Sequence, residues 1–368
     1  MRRLLLIGAG HAGAELLRRW AAAPPPDVEL TLVSPDMVAP YSGMVPGWLS
    51  GDYDWEDCCI DFARLAGRAG AHVVVDRVVA LDTVRREVLL GGGGVLGADT
   101  MVLNIGSTVR MPQRPGGQGP CLLPTRPLVA LHDAVGALAT RWGGRVKAPE
   151  LVGVGGGSAS IESLFALRRR MQEAGFAPRC TLLTRDSELL RGLNSRARRL
   201  TRAALAQAGV VVRMGFEVQS IQPAGLQARD GQVQAADLVL WAAGAAAHAW
   251  PAASGVEVDA SGFVRIDSTL RSTSHPWLFA VGDCAAFEPP LPKAGVYSVR
   301  MGPVLAHNVA AAFAGRELRA YRPQRDQLVL LNTADGRAIA SRASLAAAGR
   351  WAMRWKDWID RGFIGRYR

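Results

Sequence analysis

Twice in this chain a short apolar run leads straight into a glycine-rich turn and then into a segment with helical patterning. Arg3-Leu4-Leu5-Leu6-Ile7 precedes Gly8-Ala9-Gly10-His11-Ala12-Gly13, and a helix through Glu15, Leu16 and Leu17 follows. Leu151-Val152-Gly153-Val154 precedes Gly155-Gly156-Gly157-Ser158-Ala159-Ser160, and a helix through Ile161, Leu164 and Leu167 follows. A second strand stands at the distance a βαβ unit requires in each case, Val28 to Val33 and Cys180 to Thr184. Pro24-Pro25-Pro26 ends the first crossover helix, since proline cannot continue one. Alternating strands and helices with glycine at the junctions dictate an α/β fold with largely parallel sheets. A chain of 368 residues has room for about two such domains.

The spacing within the turns carries chemistry. In the first, Gly8 permits the tight turn, Gly10 lets backbone approach a pyrophosphate, and Gly13 lets helix and strand pack closely. The N–H groups of His11, Ala12 and Gly13 then point from the helix N-terminus, with its positive dipole end, at the phosphates. His11 reads as a turn residue beside them. An acid normally closes the second strand to hold the adenosine ribose; here Ser34 stands there, with Asp36 two residues on. The second turn keeps Gly155 and Gly157 but has Ser160 in third place. Its second strand ends in Thr184-Arg185, where Arg185 would suit a 2′-phosphate and so NADPH over NADH; a solvated arginine explains it equally well. Asp99 to Ser107 and Asp237 to Gly244 read as strands closing the two blocks, with Gly106 and Gly244 at their ligand-facing ends.

Two Rossmann-like domains are therefore expected, the second inserted in the first. Residues 1–113 and 235–321 form a discontinuous first domain, 114–234 the second, and 322–368 a C-terminal extension. Gly91 to Gly94 reads as a hairpin tip, and Pro112 to Pro120 as an interdomain connection.

Charge and cysteine usage narrow the setting. The net charge of +11 favours anionic partners, nucleotide phosphates among them. Nucleic-acid binding by the Arg196, Arg198, Arg199 and Arg202 cluster is not expected, a solvated helix face being simpler. Five scattered cysteines without CxxC spacing read as free thiols in a reducing compartment. With no apolar run of about 18 residues, a cytoplasmic protein without a transmembrane helix is the expectation. The histidines lack metal-ligand spacing, and no Ser-His-Asp arrangement can be read.

A third feature makes the pattern specific. Leu278-Phe279-Ala280-Val281-Gly282-Asp283-Cys284-Ala285 follows the extended Gly262 to Asp267. It resembles the second FAD fingerprint of the pyridine nucleotide-disulfide oxidoreductase superfamily, in which the aspartate, here Asp283, holds the ribityl chain. Gly302 to Asn308 resembles the helix that aims its N-terminus near the flavin. Pro40-Tyr41-Ser42-Gly43-Met44-Val45-Pro46-Gly47 and Trp355-Lys356-Asp357-Trp358-Ile359-Asp360-Arg361 resemble FAD-dependent proteins fused to, or encoded beside, selenide, water dikinase. That group is similar to type II NADH dehydrogenases and sulfide:quinone oxidoreductases, and the likeness covers essentially the whole chain. It implies that Tyr41, Ser42 and Pro46 border the isoalloxazine. It also implies that Glu162 lies near the nicotinamide–flavin contact.

Departures limit the likeness. Quinone-reducing relatives carry a glutamine motif ahead of the Asn308 helix, where this chain has Gly295-Val296-Tyr297-Ser298-Val299-Arg300. A cysteine pair over the flavin is incomplete, since Cys121 has no partner after Pro289. Lys293, Tyr297 and Arg300 are candidates for an acceptor pocket, with core or surface roles as alternatives. In Trp351 to Tyr367, Trp351, Trp355, Trp358 and Ile359 share one helical face amid arginines. Such a helix suits an anionic bilayer, its own FAD domain, or a partner enzyme such as selenide, water dikinase.

The expected function is hydride transfer from NADH or NADPH to non-covalent FAD, and onward to a small acceptor, a quinone or a selenium or sulfur species. Glu162 and Lys293 are the candidate catalytic residues. The alternative is a flavin-bound redox sensor or scaffold with little turnover, and a homodimer stays open.

Overall fold

The computed structural model describes residues 1–115, 117, 119–142 and 148–368, with side chains for all of these but 139–142. Gly116 and Gln118 of the expected interdomain connection thus lie outside the described residues.

The first domain is built on β1 (Arg2–Ile7), α1 (His11–Ala22), β2 (Val28–Val33), β3 (His72–Val74) and β4 (Thr100–Leu103). The second holds β5 (Cys121–Pro124), β6 (Glu150–Val154), α2 (Ser158–Glu173), β7 (Arg179–Thr184), α3 (Ser195–Gln207), β8 (Val211–Met214) and β9 (Leu238–Trp241). The chain then returns to the first sheet with β10 (Leu278–Ala280) and runs into α4 (Gly295–Phe313). The sheet orders are β10-β4-β1-β2-β3 and β5-β9-β6-β7-β8, every pairing parallel. Parallel sheets covered on both faces need unbroken apolar strands, and Leu4, Leu5, Leu6 and Ile7 are all buried. Each domain inserts a three-stranded antiparallel meander ahead of its returning strand, 78–97 in the first and 218–235 in the second. The expected tip, Gly91 to Gly94, is the turn between two of the first meander's strands.

Two boundaries move. The second domain was expected to end at 234, but β9 sits inside its sheet between β5 and β6, so the domain extends through Trp241. The helix expected from Gly302 starts at Gly295, so Gly295 to Arg300 forms its first turns and not a loop before it. At Gly302, a Cβ would lie 2.7 Å from Glu15 Cβ: glycine there is what lets α4 cross α1 closely.

The C-terminal extension is a three-stranded antiparallel sheet, 329–349, and α5 (Arg350–Ile364). It straddles the domains. Asn194, which caps α3, donates to the Ala343 and Leu345 carbonyls at 3.0 and 3.1 Å, holding the small sheet to the second domain. The buried face of α5, Ala352, Lys356, Asp360, Phe363 and Ile364, lies against the first domain, where Tyr53 donates to Asp357 at 2.7 Å and Tyr367 to Glu15 at 3.3 Å. Among the described residues, no helix is long and apolar enough to cross a membrane.

Candidate dinucleotide and flavin site

The two glycine turns occupy equivalent places at the carboxyl ends of their sheets, where open α/β folds bind ligands. Gly8 and Gly155 have φ of +94° and +126°, which only glycine adopts without strain. A Cβ at Gly8 would lie 2.6 Å from the Asn104 carbonyl oxygen, and one at Gly155 2.7 Å from that of Ala242. Both turns thus fold tightly over the residue that follows the returning strand. Gly10 and Gly157 are the N-cap residues of α1 and α2, and neither helix has a side-chain cap or an acid in its first turn. Their leading N–H groups are left for an anion.

Asn104 ties the first turn to the second fingerprint. Its Oδ1 accepts the Gly13 N–H at 2.7 Å, and its Nδ2 donates to the Val281 carbonyl at 3.4 Å. A Cβ at Gly10 would fall 2.5 Å from that amide, and one at Gly282 3.3 Å from it. One buried residue therefore underlies Gly8 with its backbone and Gly10, Gly13 and Gly282 with its side chain, and fixes where Asp283 stands. Sequence reasoning took Asn104 as a strand residue; its signal was a lone buried amide closing an apolar strand.

Asp283 accepts from Ser107 Oγ at 3.3 Å and is ion-paired with Arg126. Arg126, missed in the sequence, also donates to the Lys293 carbonyl at 3.2 Å. His11 is packed edge-on to Tyr41 at 5.5 Å and beside Phe363 of α5 at 5.9 Å. Burial, opposed by the charge of Asp283, pulls its imidazole down to about 4, and its buried Nε2 has no protein partner. Asn104, the uncapped turn, this orphan nitrogen and Asp283 fit a dinucleotide such as FAD.

The loop from Tyr41 also reaches this region. Ser42 is exposed, and its hydroxyl stands 2.7 Å from where a Cβ at Gly295 would be, at the start of α4. Pro46 is buried inside the short helix Val45–Leu49. Lys356 of α5 donates to the Gly43 carbonyl at 2.6 Å and to Asp360 at 2.8 Å, while the Tyr41 hydroxyl bonds Asp360. Burial raises the Asp360 carboxyl despite Lys356. The Glu162 side chain keeps partial solvent contact, yet burial among protein atoms pushes it up to about 7, with Lys356 and the Asn332 N–H (2.7 Å) opposing and Asp360 adding to the rise.

The remaining predicted residues divide. Gly106 and Gly244 take matching left-handed conformations, φ +66° and +72°, after β4 and β9. Ser34 is buried at the end of β2, whereas Asp36 is exposed beyond it. Thr184 is buried beneath Gly156, where a Cβ would meet its hydroxyl at 2.7 Å, and Arg185 is exposed. Lys293 does not present a free ammonium: it bonds the Ala285 carbonyl, stands 3.8 Å over the Phe263 ring, and burial lowers its pKa. The buried Tyr297 hydroxyl accepts from Gln327 at 3.0 Å. Both side chains thus already have partners within the protein. Asn308 is a structural residue, its amide bonding the Thr269 and Arg319 carbonyls at 2.8 Å each. Among the described residues no His, Cys, Asp or Glu cluster suits a metal, and Cys58, Cys59, Cys180 and Cys284 are free thiols.

Known families agree with this geometry. The model of the pyridine nucleotide-disulphide oxidoreductases matches residues 2–312. The chain belongs to that family. Among relatives of this oxidoreductase is an NADH dehydrogenase-like protein of Mycobacterium tuberculosis, 28% identical over 309 residues covering 78% of this chain and 73% of the relative. A type II NADH:quinone oxidoreductase of Haemophilus influenzae is 26% identical over 51% of this chain and 45% of its own. In structure, the sulfide:quinone oxidoreductase of Aquifex aeolicus superposes with a TM-score of 0.82 at 17% identity, covering all of this chain and 92% of the other. At that identity the likeness speaks for the fold.

Proposed function

We propose that this oxidoreductase takes hydride from NADH or NADPH onto bound FAD and passes the electrons to a small acceptor, a quinone or a selenium or sulfur species. The observation that carries the reading is Asn104, which joins the first glycine turn and the Gly282–Asp283 fingerprint into one site. FAD supplies the two-electron carrier when bound. The chain's own part is positional: α1 offers its N–H groups to the diphosphate, and Asp283 and Ser107 offer acceptors to hydroxyls. The turn at Gly155 to Ser160 is the matching place for the nicotinamide cofactor, and the exposed Arg185 supports NADPH. Glu162, protonated to about pH 7, serves as the proton store beside the Tyr41 loop. The names of the relatives, NADH dehydrogenase-like and NADH:quinone oxidoreductase, support this class of donor. Selenide, water dikinase as partner rests on the Tyr41 to Pro46 and Trp355 to Arg361 motifs.

Anaerobic stopped-flow spectroscopy with NADH and with NADPH tests the reading. Bleaching of bound flavin by either cofactor is expected, faster with NADPH. Bound flavin that neither cofactor reduces would overturn it and favour the sensor or scaffold.

A further inference from the structure

Where the chain passes from the first dinucleotide domain to the second and back, its two crossings run side by side. Thr108 pairs with Ala246 and Val109 with Ala245 as a short antiparallel ribbon. An isolated pair of strands is marginally stable by itself, so contacts away from the ribbon must set how the domains face each other. The C-terminal extension is one such contact, and Arg126 is another, placed at the flavin fingerprint.

Arg126 follows β5, the edge strand of the second sheet, and its neighbour Thr125 is fixed to that sheet. The N–H and hydroxyl of Thr125 both donate to the Trp241 carbonyl at the end of β9, at 3.0 and 3.2 Å. From that anchor the Arg126 guanidinium crosses into the first domain. It pairs with Asp283, donates to Ser107 Oγ, and donates to the Lys293 carbonyl at 3.2 Å. These acceptors stand on three separate segments: after β4, in the second fingerprint, and just ahead of α4. One planar fork thus ties three parts of the flavin domain to one point of the nicotinamide domain. Among the described residues the bonds to Asp283 fall on Oδ2, which leaves Oδ1 for a ligand hydroxyl. The pair is sheltered, with the side chains 27% and 19% exposed, so salt screens it little.

The other end of this path is the second glycine turn. Ala242, next to Trp241, donates its N–H to the Val154 carbonyl at 3.0 Å. Its own carbonyl oxygen lies 2.7 Å from where a Cβ at Gly155 would stand. From Gly155 to Asp283 the path therefore runs through Ala242, Trp241, Thr125 and Arg126, with direct contact at every step.

We propose that Arg126 is a positioning residue that sets the register of the nicotinamide-binding turn against the flavin site. The inference rests on the hydride-transfer reading and concerns alignment alone. A misplacement of about 1 Å between reacting groups can cost about a hundredfold in rate.

The test uses the full-length flavoprotein as wild type, R126K, R126Q and T125V, with rates expressed per bound flavin. R126Q should slow flavin bleaching at saturating NADPH by about a hundredfold, while the Kd for NADP+ stays the same. R126K keeps the charge without the fork and should fall between the two. A second reading needs no turnover. In protein reduced with dithionite, the long-wavelength absorbance of NADP+ stacked on reduced flavin should weaken in the same order. T125V removes one of the two bonds that anchor the path and leaves Arg126 and Asp283 in place. It should move both readings the same way by less. Bleaching and stacking equal to wild type in flavin-loaded R126Q would overturn the proposal, as would equality in T125V where R126Q loses its flavin. A slowing explained by a raised Kd for NADP+, with stacking intact, would overturn it too. All three outcomes leave the hydride-transfer reading standing, whereas wild-type flavin that neither NADH nor NADPH bleaches would remove that reading and this one with it.

Discussion

Gly10 and Gly157 have nearly the same backbone, φ −93° and ψ 167° against −88° and 170°, and each opens the helix of its own dinucleotide fold. Their surroundings differ completely. A Cβ at Gly10 would land 2.5 Å from the Asn104 amide, while one at Gly157 would meet nothing within 4 Å. At this position the first turn is filled from within by the protein, and the second is open. Equivalent glycines thus answer to different constraints, one to packing and the other only to whatever binds. A turn held by its own side chains suits a resident group, and an open one suits a cofactor that comes and goes.

The largest effect expected from this contrast is that of Gly10→Ala. The added methyl must displace Asn104 and break its bond to Gly13, an overpacking cost of about 1–3 kcal/mol. Flavin should be lost on purification, with a fall in Tm of roughly 5 °C measured by calorimetry. Gly157→Ala should leave Tm and flavin unchanged while raising KM for the nicotinamide cofactor about tenfold, as a methyl of similar cost meets only the ligand. Equal effects at the two sites would erase the distinction.

Asp283→Ala comes next in size. It removes acceptors from the resident site and leaves Arg126 without its carboxylate. Hydrogen bonds to charged groups contribute about 1.5–3 kcal/mol, so FAD affinity should fall between roughly tenfold and a hundredfold. Absorbance per protein after dialysis against FAD-free buffer reads this directly, and full flavin retention would remove Asp283 from the site.

Much of this contrast was legible in the sequence, and its missing parts have a common cause. Local patterns reveal strands, glycine turns and the helices after them, because those depend on residues near in sequence. Asn104 and Arg126 act on partners 91 and 157 residues away, and no local period marks them. The second domain's end at 234 was misplaced because β9, although recognised as a strand, joins its sheet between strands far earlier in the chain. Helix α5 misleads in a different way. Hydrophobicity alone would turn its tryptophans inward and Lys356 and Asp360 outward, whereas the structure does the reverse. The pair stands four residues apart, neutralises itself at 2.8 Å, and finds Gly43 and Tyr41 as further partners, which makes its burial tolerable.

Burial also produces a pH effect at Glu162, which faces that pair. Its carboxyl holds a proton up to about 7 in the folded protein, against 4.5 for the ordinary group. The folded state therefore binds more protons between these values, and stability should fall as pH rises from 4.5 to 7 and level off above. Glu162→Gln should flatten that stretch of a Tm-against-pH curve. In turnover, a limb with a midpoint near 7 should vanish in the same variant. An unchanged limb would assign the titration elsewhere, with Asp360, whose carboxyl burial also raises, the next group to test.

The smallest effect concerns Ser160, where the open turn departs from the glycine pattern. Its hydroxyl is buried and has no partner in the protein. Leaving such a group unpaired costs about 1 kcal/mol, so Ser160→Ala should raise Tm by about 2 °C in the apo-nicotinamide form. The informative reading is the KM for NADPH measured beside it. A higher Tm with unchanged KM would make the serine a tolerated defect of packing. A higher Tm with raised KM would mean that the hydroxyl finds its partner only in the bound cofactor, so that the second turn, like the first, keeps one polar group in reserve for its ligand.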